Sequence, residues 1–132
     1  MGKNRAGVIV DSHLWVEFLS REKSPATAEV ARLIRAGEVV LVGPVLYEVL
    51  VGPRREAERE YLQGRLRALP LLPASEEVWL RAIDLGRLEA VGKRQVPFSD
   101  VLIAAHGEVH GVEVFTLDPH FDVFPRLKRH RA

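Results

Sequence analysis

A chain of 132 residues with 19 basic and 18 acidic side chains has a formal net charge of +1, which excludes a disordered polyelectrolyte and a uniformly basic nucleic-acid-coating protein. With 47% hydrophobic and 28% charged residues and no repeat or low-complexity stretch, one domain is expected over residues 1–132, with 126–132 as a basic C-terminal tail. The absence of cysteine rules out disulfides, thiolate metal sites and Cys nucleophiles, and no apolar run approaches the roughly 20 residues that span a bilayer, so a cytoplasmic protein without membrane contact is expected.

Taken in chain order, Ala6-Gly7-Val8-Ile9-Val10 is a short apolar run that predicts a buried strand, and Asp11-Ser12 opens a helical pattern through Leu14, Trp15, Phe18 and Leu19. Ser24-Pro25 is a helix start, continued to a stop at Gly37, and Val39 to Val42 predicts a second buried strand. Pro44 opens a short apolar helix closed by Gly52-Pro53, and Arg54 to Leu69 reads as a charged helix. Pro70-Leu71-Leu72-Pro73 suggests a short edge strand. Ser75-Glu76-Glu77 starts a helix expected to reach Val91, and Gly92 to Gln95 reads as a polar loop. A helix from Phe98 to Val109 ends at Gly111, Val112 to Thr116 reads as a strand, and Asp118-Pro119 breaks it. Strands alternating with helices predict an α/β fold with a parallel sheet, and ligands of such sheets gather beyond the carboxyl ends of the strands.

Four acids stand where that rule directs attention. Asp11 directly follows the first strand and Asp118 follows the last, while Glu48 and Asp100 sit in otherwise apolar helices, where an isolated carboxylate is costly to bury. Each also has a plain structural explanation. Asp11 and Asp100 suit helix starts, Asp118 suits a turn before Pro119, and Glu48 suits an ion pair with one of the arginines. If the four converge, each pair about 5 Å apart repels by about 3 kcal/mol at an effective dielectric of 20, and cations must offset it. Without cysteine the ligands are oxygens, which select hard ions such as Mg²⁺ or Mn²⁺, one or two of them, able to activate a water for phosphodiester hydrolysis. With the four set aside, 19 basic residues face 14 acidic ones, a balance of +5 that suits a polyanionic substrate.

The segments Val8-Ile9-Val10-Asp11-Ser12, Val45 to Gly52, Pro97-Phe98-Ser99-Asp100-Val101-Leu102-Ile103-Ala104-Ala105 and Phe115-Thr116-Leu117-Asp118-Pro119-His120-Phe121 resemble, in order, the motifs of the PIN-domain family, and look most like its VapC-type toxins. The resemblance runs from about residue 7 to residue 125. It implies a three-layer α/β/α sandwich with a central, mainly parallel sheet. It also implies a Mg²⁺- or Mn²⁺-dependent endoribonuclease cutting structured RNA such as tRNA or rRNA, a cognate antitoxin and a homodimer. It carries the roles of catalytic metal ligands to Asp11, Glu48, Asp100 and Asp118. Many relatives have a further acid immediately before the phenylalanine of the last motif, where this chain has His120; Asp122 is an offset substitute. Two other readings stay open: a PIN ribonuclease of RNA maturation that has no antitoxin, and a non-catalytic module that keeps only the fold.

Several further residues can assist. Ser99 and Thr116 can orient ligands by hydrogen bonding, as Asp122 can. Lys93 and Arg94, in the loop before Asp100, and Arg126, Lys128 and Arg129 in the tail are candidates for RNA contact, the tail being equally a solvated terminus. Trp15 and Trp79 sit at helical core spacing, which favours packing over base stacking. Among His13, His106, His110, His120 and His130, only His106 and His110 have close helical spacing, and they lack the glutamate of a zinc-protease motif.

Overall fold

The computed structural model describes residues 7–52 and 55–132. Ala6, Pro53 of the expected helix stop and Arg54 of the following helix start lie outside the described residues. Strand β1 is Val8–Val10, helix α1 Ser12–Leu19, α2 Pro25–Arg35, β2 Val39–Val40, α3 Gly43–Val51, α4 Glu56–Leu66, α5 Glu76–Gly86, α6 Glu89–Lys93, α7 Phe98–His110 and β3 Glu113–Phe115, followed by a 3-10 turn over Pro119–Val123. The sheet has the order β2-β1-β3, parallel throughout.

Successive strand residues point to opposite faces, so the complete burial of Val8, Ile9 and Val10 means that helices cover both sides of β1. The α/β class with a parallel sheet is therefore as the pattern of elements predicts. Single bridges extend the sheet at both edges. Leu71 of the expected edge strand pairs with Leu41 beside β2, and Arg129 pairs with Val114 beside β3.

Local chemistry explains several element ends. Ser24 caps α2 in a reciprocal box with Thr27, with Pro25 at the first helical position, and Gly111 ends α7 in the left-handed conformation at φ 69°. The core of α7, from Asp100 to Gly107, is buried all round, which marks it as the central helix, packed on α5 on one side and contacting β3 on another.

Two expectations are corrected. The helix expected to run from Ser75 to Val91 breaks after Gly86: Leu88 is extended, and α6 takes over, absorbing Gly92 and Lys93 from the expected loop. On one straight helix Val91 would stand about 120° around the axis from Leu85, and the turn at Leu88 allows both to be buried. Trp79 is 44% exposed instead of core, because the buried stripe of α5 is Val78, Ala82 and Leu85, one position out of phase; its ring stacks on Phe98 at 6.3 Å. Trp15, by contrast, is buried as expected.

The basic tail does not hang free. Val114 N–H donates to Lys128 O (2.9 Å) and His130 N–H to Val114 O (2.9 Å), and Leu127 is buried. A Cβ added at Gly107 of α7 would come within 2.9 Å of the Leu127 side chain, so the absence of a side chain there lets the tail approach. No helix among the described residues is long and apolar enough to cross a membrane.

Candidate active site

The backbone brings the first and last acids side by side. Asp11 N–H donates to Phe115 O (3.0 Å), continuing the β1–β3 pairing one residue past the strand, so Asp11 stands beside Thr116 where both strands end. The Thr116 hydroxyl donates to Asp11 Oδ2 (2.7 Å), Ser12 N–H donates to Asp11 Oδ1 (2.8 Å), and Thr116 Oγ1 accepts from Asp118 N–H (3.0 Å). One threonine thus joins Asp11 and Asp118. Glu48, on α3, accepts from the Ser12 hydroxyl through Oε1 (2.7 Å), which ties the start of α1 to the second helix of the site. Asp100, in the first turn of α7, supplies the fourth carboxylate, only 8% exposed.

The electrostatics follow from four acids that face one another. Burial raises the Asp11 carboxyl above its ordinary value despite the Thr116 and Ser12 hydrogen bonds, with Asp118 and Glu48 adding to the rise. Asp100 is pushed up to about 6, by burial first and then by Asp11 and Asp118, while His120 opposes the shift. Acids whose ionised forms are disfavoured by one another and by desolvation form a site that a cation relieves.

His120 enters the group from the 3-10 turn. Its N–H donates to Asp118 Oδ1 (2.9 Å), and its ring Nδ1 lies 3.3 Å from Asp118 Oδ1 and 3.5 Å from Asp100 Oδ2. That Nδ1 is buried and has no hydrogen-bond partner. Ligand atoms of Asp100, Asp118 and His120 all lie within 4.8 Å of one another. An orphaned buried nitrogen facing clustered carboxylates, with no thiolate present, fits a divalent cation held by oxygen and imidazole donors.

The candidates read from sequence divide accordingly. Asp11, Glu48, Asp100 and Asp118 come together, and Thr116 bonds to Asp11. Ser99 makes no hydrogen bond to a carboxylate among the described residues; it lines, with Glu48, Tyr47, Trp79 and Phe98, an apolar cleft of about 380 Å³. Asp122 is exposed and pairs outward with Arg129 (3.1 Å). Lys93 and Arg94 are exposed at the end of α6, Lys93 facing Glu89 at 3.3 Å, and Arg126 and Lys128 are exposed on the docked tail. His106 is fully buried, its imidazole lowered to about 4 by burial and by His110, and belongs to the interior.

Ser12 was not singled out from sequence, and His120 was noted only as standing where many relatives have an acid, not as a member of the site. The signal for Ser12 was its hydroxyl directly after a strand-end acid at a helix start. The signal for His120 was its place two residues after Asp118, where a bend brings neighbours into one pocket.

A family model described as the PIN domain matches residues 8–127. The chain is 28% identical over 129 residues to "VapC ribonuclease Mb1587" of Mycobacterium bovis, covering 95% of this chain and 96% of that one. It is 34% identical over 109 residues to "Ribonuclease VapC51" of Mycobacterium tuberculosis, covering 80% and 78% respectively. Among solved structures, VapBC2 from Rickettsia felis bound to a promoter DNA fragment superposes with a TM-score of 0.75 at 15% identity, over 93% of this chain and 96% of that one. DNA-bound VapBC from Salmonella typhimurium superposes with a TM-score of 0.74 at 15% identity, over 94% and 96%. At these identities the structures bear on the fold, and the fold agrees.

Proposed function

This chain belongs to the PIN-domain family, and from that premise we propose that it is a metal-dependent endoribonuclease of the VapC type, the toxin of a toxin–antitoxin pair, acting on structured RNA such as tRNA or rRNA. The observation that carries the proposal is the convergence of Asp11, Glu48, Asp100 and Asp118 at the carboxyl edge of the sheet, in a chain whose named relatives are VapC ribonucleases. Asp11, Asp100, Asp118 and Glu48 would hold Mg²⁺ or Mn²⁺, one or two ions. A cation held there supplies the charge that acidifies a water and stabilises the departing oxygen of a phosphodiester.

The chain's own residues prepare the ligands. The Ser12 amide and the Thr116 hydroxyl each take one oxygen of Asp11, which locks the carboxylate plane. The Ser12 hydroxyl holds Glu48 through Oε1. Asp118 is braced through its own amide by Thr116 and through Oδ1 by the His120 amide. Lys93, Arg94, Arg126, Lys128 and Arg129 supply positive charge toward the RNA backbone. The partners proposed are the RNA, an antitoxin and a second copy of the chain. A toxin–antitoxin complex from Klebsiella pneumoniae shares the fold with a TM-score of 0.70 at 16% identity, which supports the antitoxin.

The test is incubation of the purified protein with total cellular RNA in Mg²⁺ or Mn²⁺, beside EDTA and an Asp100→Asn variant. Discrete fragments that require both metal and Asp100 are expected. Absence of cleavage under every condition, with the fold intact, would overturn the reading in favour of a non-catalytic module.

A further inference from the structure

We propose that His120 is a ligand of this centre through Nδ1, and that the nitrogen it contributes makes the site prefer Mn²⁺ over Mg²⁺. The inference rests on the metal-centre reading above and specifies the ion.

The position is the first argument. His120 Nδ1 stands 3.3 Å from Asp118 Oδ1 and 3.5 Å from Asp100 Oδ2, in hydrogen-bond geometry with neither, although the atom is buried. Buried ring nitrogens ordinarily find a partner, because leaving one unmade costs about 1–3 kcal/mol. In a six-coordinate ion with bonds near 2.1 Å, adjacent donors are about 3 Å apart, close to the spacing already present. The residue is also held in place, since its amide donates to Asp118 Oδ1 at 2.9 Å and Pro119 restricts the backbone between them.

Donor chemistry supplies the rest. Mg²⁺ is a hard ion that takes oxygen and gains little from imidazole, whereas affinity for nitrogen donors rises through the first-row transition ions. An imidazole in place of a carboxylate also leaves the centre with one less negative charge, which weakens the mainly electrostatic hold on Mg²⁺. The bond to Mn²⁺ offsets that loss and the bond to Mg²⁺ does not.

Mn²⁺ is its own probe. The full-length protein loaded with Mn²⁺ alone is expected to show ¹⁴N coupling in pulsed electron paramagnetic resonance, and the nearly isosteric His120→Asn variant to lack it. Calorimetric titration with each ion is expected to show the ratio of Mn²⁺ to Mg²⁺ affinity falling about tenfold in His120→Asn. His120→Asp, which introduces a charged oxygen donor, is expected to raise Mg²⁺ affinity above that of the wild type. Wild-type protein without ¹⁴N coupling, or coupling that survives in His120→Asn, or an unchanged affinity ratio, overturns the proposal. Mg²⁺-supported RNA cleavage alongside a missing coupling would sink this inference alone, whereas no binding of either ion together with no cleavage would sink the nuclease reading as well.

Discussion

Two histidines ten residues apart each stand between two carboxylates, with opposite results. His130 meets Glu29 through Nε2 and Glu113 through Nδ1, each at 2.7 Å, and its side chain is 11% exposed. His120 offers one buried nitrogen to Asp100 and Asp118 and bonds to neither through it. Around His130 the charges are matched. Burial alone would lower its imidazole, but the hydrogen bonds to Glu29 and Glu113 outweigh that and raise it, while Arg32 first and His130 second hold Glu29 down at about 2. Around His120 the acids remain in excess, and Asp11 and Asp100 are pushed up by burial first and by the neighbouring carboxylates second. The lesson is that the same residue types fasten a chain where their hydrogen bonds are complete and make a receptacle where they are left incomplete.

The sharpest way to break this contrast is Asp100→Asn. RNA cleavage is expected to fall on the order of 10²–10³-fold. The metal-free protein is expected to melt higher at pH 7, because a carboxyl raised from 3.8 to about 6 makes the native state hold more protons than the unfolded chain. Wild-type metal-free stability should therefore fall as pH rises from 3.8 to about 6, and the variant's curve should be flatter. Scanning calorimetry at pH 4 and pH 7 checks this; a lower melting temperature for the variant at pH 7 would contradict the receptacle description.

Thr116→Val probes the brace between Asp11 and Asp118. A loss of about 10–100-fold in cleavage rate at saturating metal is expected, with Ser12→Ala losing less because it frees only one oxygen of the less buried Glu48. Equal rates for Thr116→Val and wild type would mean that the carboxylates need no bracing.

For the fastened site, His130→Gln is expected to cost about 2 kcal/mol, most of it from Glu29 because Glu113 is more exposed. A raised histidine stabilises below its unfolded value of 6.5 and loses that contribution as pH climbs through the raised native value. A lowered glutamate stabilises above 4.5 and loses its contribution as pH falls toward about 2. The penalty should therefore be greatest between pH 4.5 and 6.5 and shrink in alkali, which urea denaturation at pH 5.5 and 9 would measure. The smallest effect is expected from Arg129→Ala, whose pair with the exposed Asp122 is worth less than about 1 kcal/mol and should weaken further in salt.

Much of this protein was written in its sequence. Short apolar runs ending in Asp11 and near Asp118, the Ser24-Pro25 cap and the αL glycine at 111 are local signals, because backbone sterics and capping depend on neighbours in the chain. Asp11 and Asp118 could be named because strand ends in a parallel sheet share one edge, and Glu48 and Asp100 because a carboxylate in an apolar helix is costly to bury alone. Distance-dependent facts could not be read that way. Whether Trp79 is buried depends on which stripe of α5 the central helix covers, and the break at Leu88 depends on burying Leu85 and Val91 together. The tail looked like a solvated basic arm because its charges are visible in sequence, whereas its ladder to Val114 and the room left by Gly107 are not. Likewise, the acids beside His120 and the arginines beside His130 are visible in the chain, but only the folded positions of Asp100, Glu29 and Glu113 decide which nitrogen is satisfied and which is left open.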